Sequence, residues 1–273
     1  MDDHSVIASE VLWIPILGLG LLLILEYVVP LRALVQSRWL HLSTNLTIAG
    51  SNAVAVNALF GGLLAVWTQR AGTEGWGLLN YMGMGFLGNV AASVVLIDLV
   101  SYGTHRAYHR VPFLWRFHRA HHSDLDIDAT TALRIHFGEM LAFVAVRAAS
   151  IPLIGVSWLG LVAYEFVYQT IGLFNHSNVQ LPNAVERGLR PFLVSPQMHW
   201  IHHSRRPIDH HRNFGSVFSF WDRLFGTYRM DFRREEIQIG LEEYPSERHA
   251  TLFRFWAMPL DPACSRIALP AQR

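Results

Sequence analysis

Eight histidines in this chain fall into three sets with helical spacing. His105 and His109 in HRAYH stand four apart, and His118, His121 and His122 in HRAHH stand three and four apart. His199, His202 and His203 in HWIHH repeat that second spacing some eighty residues later. On an α-helix, residues three and four apart share a face, so each set can aim at least two imidazoles at one point. A lone histidine at any of these places reads as structural or surface; eight of the chain's 15 histidines in three such sets do not arise from scattered placement. Neutral imidazole suits zinc, copper, iron and nickel, so ligand type leaves the element open. A tetrahedral structural zinc is satisfied by four ligands, so eight imidazoles imply two metal ions. Ligating histidines also want an acceptor for the second ring nitrogen. Asp98, Asp124, Asp209 and Asp222 stand near the sets as candidate acceptors, with helix capping and solvent exposure as the competing readings.

Composition narrows the rest of the chemistry. All 22 basic residues are arginine, which excludes a lysine Schiff base. The single cysteine, Cys264, rules out an intrachain disulfide and a thiolate cluster, leaving nitrogen and oxygen as metal ligands. A net charge of +1 gives no electrostatic reason to propose nucleic acid. With 51% hydrophobic and 16% charged residues and a mean hydropathy of +0.23, the chain reads as a membrane protein.

The elements that must position the histidines are apolar runs of about 20 residues, the length of a helical crossing. Val11 to Val29 is one, with Glu26 its only charge, and the acidic leader MDDHSVIASE does not resemble a cleaved signal. A run from about Thr47 to Trp67, rich in small residues, suits close helix packing. A third, from about Met84 to Thr104, contains Asp98 and leads into the first histidines. Phe137 to Val156 and Ser157 to Phe174, broken around Pro152 and Gly155, form an expected hairpin in which Arg147 and Glu165 either pair or face a substrate channel. With an outer N-terminus, the inner segments carry 20 of the 22 arginines, the bias expected of cytoplasmic loops. That topology puts all three histidine sets on one side. Trp39, Trp67, Trp76 and Trp158 fall near expected span ends.

HRAYH, HRAHHS, HWIHHS and the closing NFGSVFSFWDRLFGTY together resemble the membrane fatty acid hydroxylase and sterol desaturase superfamily, from about Asp98 to Tyr228. The resemblance implies an all-α integral membrane protein, with about four to five membrane-crossing or hairpin helices and a cytoplasmic histidine-rich helical cap. It implies one domain over residues 1–273, with a motif core at about 98–228 and a C-terminal cytoplasmic tail at 229–273. It further implies a non-haem di-iron centre that uses dioxygen and externally supplied electrons to hydroxylate or desaturate a lipid. The implied ligands are His105, His109, His118, His121, His122, His199, His202 and His203, with His176 in FNHSN as a ninth. Where some relatives place a further histidine, four residues before His176, this chain has Gly172. His136, in an RIHFGE stretch, is read as structural, and His210 and His211 as part of a surface run. His4, His41 and His249 are read as incidental.

Two iron ions are therefore expected as cofactor, with zinc a substitute in purified protein and dioxygen as co-substrate. No haem, flavin or iron–sulfur motif is visible, so a separate donor, cytochrome b5-like or ferredoxin and reductase, is expected. The sequence does not set an oligomeric state. A lysine-free chain rich in alanine and glycine fits a GC-rich bacterial gene and hence an inner membrane, with the metal site and C-terminus cytoplasmic. Two rivals remain, a transition-metal binding or transport protein and a zinc-dependent lipid hydrolase. The first predicts ligands at mid-membrane depth, the second fewer histidines and a carboxylate base.

Overall fold

The computed structural model describes residues 3–60, 62–231, 237–246 and 251–261, with side chains from residue 14 onward. His249 and the His4 side chain lie outside that part. The chain is helical: α1 Asp3–Val28, α2 Arg38–Phe60, α3 Leu63–Thr73, α4 Leu78–Tyr81, α5 Phe86–Arg110, α6 Pro112–His122, α7 Phe137–Ile154, α8 Trp158–His176, α9 Asn183–Leu189, α10 Pro196–His202, α11 Pro207–His210, α12 Phe220–Leu224 and α13 Leu252–Ala257. Among the described residues, extended pairing is confined to three isolated bridges.

By length and apolarity α5 and α7 can each cross a membrane, and α2 with Leu63–Tyr81 makes a third candidate across a 46° bend. Side chains of α1 are described from Ile14, and Ile14–Val28 is apolar; the expected run from Val11 begins outside the described side chains. The other expected crossings map onto α5, α7 and the α2–α4 segment, while α8 is the less apolar return arm of the hairpin. The hairpin has a local cause. His136 caps α7 by accepting from the Gly138 amide, α7 runs through Pro152, and Gly155 stops it at φ 79°, a left-handed conformation that glycine adopts without strain. Ser157 then caps α8 through the Gly160 amide at 3.2 Å. Gly160 also sets the approach of α5 and α8, since a Cβ there would lie 2.5 Å from the Ser93 Cβ.

The end of the bundle where α5 and α8 finish carries the cap. Glu26, near the end of α1, accepts from the Ala129 amide at 2.8 Å and the Asn178 amide at 2.9 Å. One carboxylate thereby ties the bundle to the chain that follows α6 and the chain that follows α8. Small apolar clusters flank the cap: Trp115, Ala120, Tyr244, Phe255 and Met258 on one side, and Ile127, Trp200, Ile201 and Ile239 on another.

Candidate metal centre

Four helices deliver imidazoles to one buried volume. His105 and His109 end α5, His118, His121 and His122 end α6, His176 ends α8, and His199, His202 and His203 come from α10 and its C-cap. They form two groups, each with one ligand atom per residue and all such atoms within 4.8 Å of one another. The first is His105, His109, His118, His122 and His202; the second is His121, His176, His199 and His203. The i, i+3, i+4 spacing explains the division. In α6 the i and i+4 members, His118 and His122, go to the first group and His121 turns to the second. In the α10 motif, His199 and His203 share the second group and His202 turns to the first. Each motif lends one imidazole to the other's group.

Within the groups the Nε2 atoms converge. In the first, His118 Nε2 lies 3.1 Å from His109 Nε2 and 3.2 Å from His122 Nε2. In the second, His176 Nε2 lies 3.1 Å from His121 Nε2 and 2.9 Å from His199 Nε2, and His203 Nε2 lies 3.2 Å from His199 Nε2. Two nitrogens bound ~2.1 Å from one ion at a right angle would stand ~3 Å apart.

The outer ring nitrogens show why these contacts need a cation. His105 Nδ1 donates to Phe214 O at 2.9 Å, His121 Nδ1 to Arg134 O at 3.1 Å, His176 Nδ1 to Gly172 O at 2.7 Å and His202 Nδ1 to Arg212 O at 2.8 Å. His118 Nδ1 donates to the Glu139 carboxylate at 2.7 Å. A carbonyl or carboxylate oxygen only accepts, so these five rings carry their proton on Nδ1 and, when neutral, expose a bare lone pair at Nε2. His121 and His176 therefore point lone pair at lone pair, and His202 Nε2 is buried without a partner among the described residues. Protonation does not relieve this, because burial, reinforced by neighbouring imidazoles, holds His121, His122, His199, His202 and His203 well below the usual histidine range. The residues present fit metal ions: converging, buried imidazoles, five of them oriented by an outer hydrogen bond.

The tail after α11 is built to supply two of the acceptors. Asn213, at φ 55°, receives the Arg229 amide and donates to Met198 O at 3.0 Å, closing the loop that runs to Tyr228 over α10. Asp222 accepts from the amides of Phe214 and Gly215 and from the Thr227 hydroxyl, each within 2.9 Å. That fixes the Phe214 carbonyl against His105. Asp98 accepts from the Val217 and Phe218 amides and from Trp221 Nε1, and so seats the same loop on α5.

The four aspartates expected as direct acceptors for ligand rings are not those acceptors. Asp98 and Asp222 act on the loop, because its turns leave amides that helices cannot satisfy. Asp209 pairs with Arg206 at 3.3 Å and Arg229 at 2.8 Å. Asp124 takes His41 Nε2 at 2.8 Å, and Asp128 takes His41 Nδ1 at 2.9 Å. His41, expected to be incidental, is thus a buried brace between α2 and the chain after α6. Burial alone would raise Asp124, but the charges of His41 and Arg134 bring it down to about 2. His210 and His211 are also corrected: neither is on the surface. His210 stacks on Trp115 at 5.7 Å and His211 lies edge-on to His109 at 5.6 Å, behind the first group and outside both. His136 is structural, as expected, and Arg147 pairs with Glu165 at 3.1 Å. Sequence reading missed Glu139, whose only local signal is its place three residues after His136 in RIHFGE.

The fatty acid hydroxylase family model matches residues 90–227, from within α5 to the end of the tail loop. The chain belongs to this family. Among its relatives, ornithine lipid hydroxylase OlsE of Rhizobium tropici is 29% identical over 157 residues, 56% of this chain and 45% of that one. Alkylglycerol monooxygenase of Xenopus tropicalis is 29% identical over 178 residues, 60% of this chain and 37% of that one. Cholesterol 25-hydroxylase of Rattus norvegicus is 26% identical over 159 residues, 57% of this chain and 52% of that one. The matches span about two fifths to a half of these relatives' lengths. No solved structure gives a significant match. The fatty acid hydroxylase region coincides with the helices and loop that build the two histidine groups, so the shared sequence is the sequence of the site.

Proposed function

We propose that this fatty acid hydroxylase family member is a di-iron, dioxygen-dependent lipid hydroxylase, with His105, His109, His118, His122 and His202 holding one iron and His121, His176, His199 and His203 the other. The observation that carries this reading is the pair of buried all-histidine groups, with the bare Nε2 lone pairs of His121 and His176 facing one another at 3.1 Å. The family membership and the names of its relatives, all lipid hydroxylases and monooxygenases, support the reaction class. The overall change converts a lipid C–H bond, dioxygen, two electrons and two protons to an alcohol and water. Iron bound here supplies the oxygen chemistry and the oxidation of the C–H bond.

The protein's part is positional. Five Nδ1–H bonds hold five rings to one tautomer and one orientation, and burial keeps water from the nitrogens. The first group would offer five imidazoles to an ion and the second four. Among the described residues both groups are made of histidine alone. Electrons come from a separate carrier, cytochrome b5-like or a ferredoxin with its reductase. The arginine bias supports a cytoplasmic cap, in an inner membrane if the source is bacterial.

The test is expression under 18O2 with mass spectrometry of host lipids and metal analysis of the gently purified protein. One heavy oxygen in a new lipid and two irons per chain are expected, both lost in His121→Ala and His202→Ala. The same lipid formed without dioxygen, or unchanged in both variants, overturns the proposal.

A further inference from the structure

Beside α13, Tyr244, Arg254 and Asp261 share a pocket of about 430 Å³ with Phe253, Met258 and Leu260. That volume falls in the range of small-molecule sites, ~300–1,000 Å³. No histidine of either metal group lines it. The floor of the pocket is fixed. Met258 sits in one apolar cluster with Trp115, Ala120 and Phe255, and Arg119 Nη2 donates to the main-chain oxygens of Met258 and Asp261. The Tyr244 hydroxyl donates to Asp261 Oδ2 at 3.1 Å. The rim is open, with Phe253 80% exposed and Leu260 84%.

Contacts to α2 and to the chain before α7 set the depth of α13. His136, the residue before α7, donates from Nε2 to Trp256 O at 3.2 Å, and its ring lies 5.2 Å from the Trp256 ring. Arg134 lies over the Phe255 ring at 4.8 Å. Ile48 of α2 joins Phe255 in the same cluster, and Asn52, one turn further along, donates to Ile135 O at 2.6 Å. Because α7 is long and apolar enough to cross a membrane, its first residue marks the boundary between water and membrane. Phe253 and Leu260 therefore stand at the level of the lipid headgroups, where apolar side chains find cover that water does not give. Trp256, partly buried beside them, is a residue type enriched at that depth.

The charges of the pocket select among headgroups. The Arg254 side chain takes no partner among the described residues, so it does not pair with Asp261 across the pocket. A lone phosphate would gain Arg254 but meet the Asp261 carboxylate, and a lone ammonium would meet the reverse. A headgroup that carries both a phosphodiester and an ammonium satisfies both residues. We propose that this pocket binds the headgroup of a zwitterionic phospholipid of the phosphoethanolamine type, with the phosphodiester on Arg254 and the ammonium on Asp261. The acyl chains leave past Phe253 and Leu260. The bound lipid moors α13 to the membrane surface and, through Met258 and Arg119, steadies α6, which carries His118, His121 and His122. The site lies apart from the reaction and stands independently of the metal-centre reading.

The experiment reads lipid binding to the purified full chain in detergent by native mass spectrometry. Dioleoylphosphatidylethanolamine should be retained about tenfold better than dioleoylphosphatidylglycerol, which lacks the ammonium, the factor expected of one charge-assisted hydrogen bond. Asp261→Asn should abolish that preference, and Arg254→Gln should weaken both lipids about tenfold, each with the metal content of the parent. In vesicles of the two lipids, a bimane on Phe253→Cys, made together with Cys264→Ser, should be quenched by a lipid spin-labelled near its headgroup and not by aqueous iodide. Equal retention of the two lipids, a preference that survives Asp261→Asn, or lipid binding untouched by Arg254→Gln overturns the proposal. Displacement of the lipid by millimolar inorganic phosphate overturns it too, by making the site one for a free anion. So does a bimane quenched by iodide alone, which puts α13 in water, or one shielded from both quenchers, which means that the chain itself fills the pocket.

Discussion

Glu139 offers the sharpest test of the centre, because among the described residues it is the one side chain that holds a ligand ring by its outer nitrogen; the other four acceptors are main-chain oxygens that no substitution removes. Its 2.7 Å bond to His118 Nδ1 joins two buried groups and is charge-assisted. Such a bond contributes about 1.5–3 kcal/mol, and loss of an outer partner of a metal-bound histidine typically costs 10–100-fold in affinity, the same energy in other units. Glu139→Gln keeps an amide oxygen but loses the charge, and should weaken metal binding by about tenfold; Glu139→Ala loses the acceptor and should approach a hundredfold. Chelator competition on purified protein reads both, with loss falling first on the ion held by His118. Glu139 also sits in the first turn of α7, where its charge contributes ~0.3–1 kcal/mol to the helix. Thermal denaturation of the metal-free variants separates that contribution. If both variants hold metal as tightly as the parent, the assignment of His118 as a ligand oriented by Glu139 is wrong.

Two other outcomes are expected. Metal-free protein should lose stability as pH falls below about 6.5, where histidines of the unfolded chain take up protons and the buried ones do not; each such group withdraws up to ~1.4 kcal/mol per pH unit. Burial brings His210 down to about 4 and His211 to about 3, so for them the loss continues to those values. A denaturation midpoint flat from pH 7 to 5 would contradict their burial as neutral rings. Asp98→Ala strands two loop amides and the Trp221 indole, and should destabilise the protein by about 3 kcal/mol or more. Limited proteolysis should then cut first between Asn213 and Tyr228, and an uncut loop refutes the seating role.

What the sequence could and could not reveal follows from what periodicity measures. Spacing shows which imidazoles share a helix face, and the structure brings all nine candidate histidines into the two groups. It does not show which group each joins, since that depends on how α6 and α10 are turned toward each other. The acceptors were illegible for a different reason: the oxygens of Phe214, Arg134, Gly172 and Arg212 belong to the backbone and carry no residue signature. Reading by residue type therefore assigned the role to nearby aspartates. His41 stands more than eighty residues from Asp124, and no local pattern links them. The hairpin, by contrast, was legible down to its corner, because Gly155 and Ser157 write stop and start signals locally.

The exchange of one imidazole between the α6 and α10 motifs means that an ion held by either group would cross-link the same long stretch of chain. A single cross-link closing a loop of that length restricts the unfolded chain by on the order of 4 kcal/mol, and a second across the same two helices has little left to restrict. On the proposed two-ion reading, an ion in either group would hold α6 and α10 together, and so favour the arrangement that the other group needs.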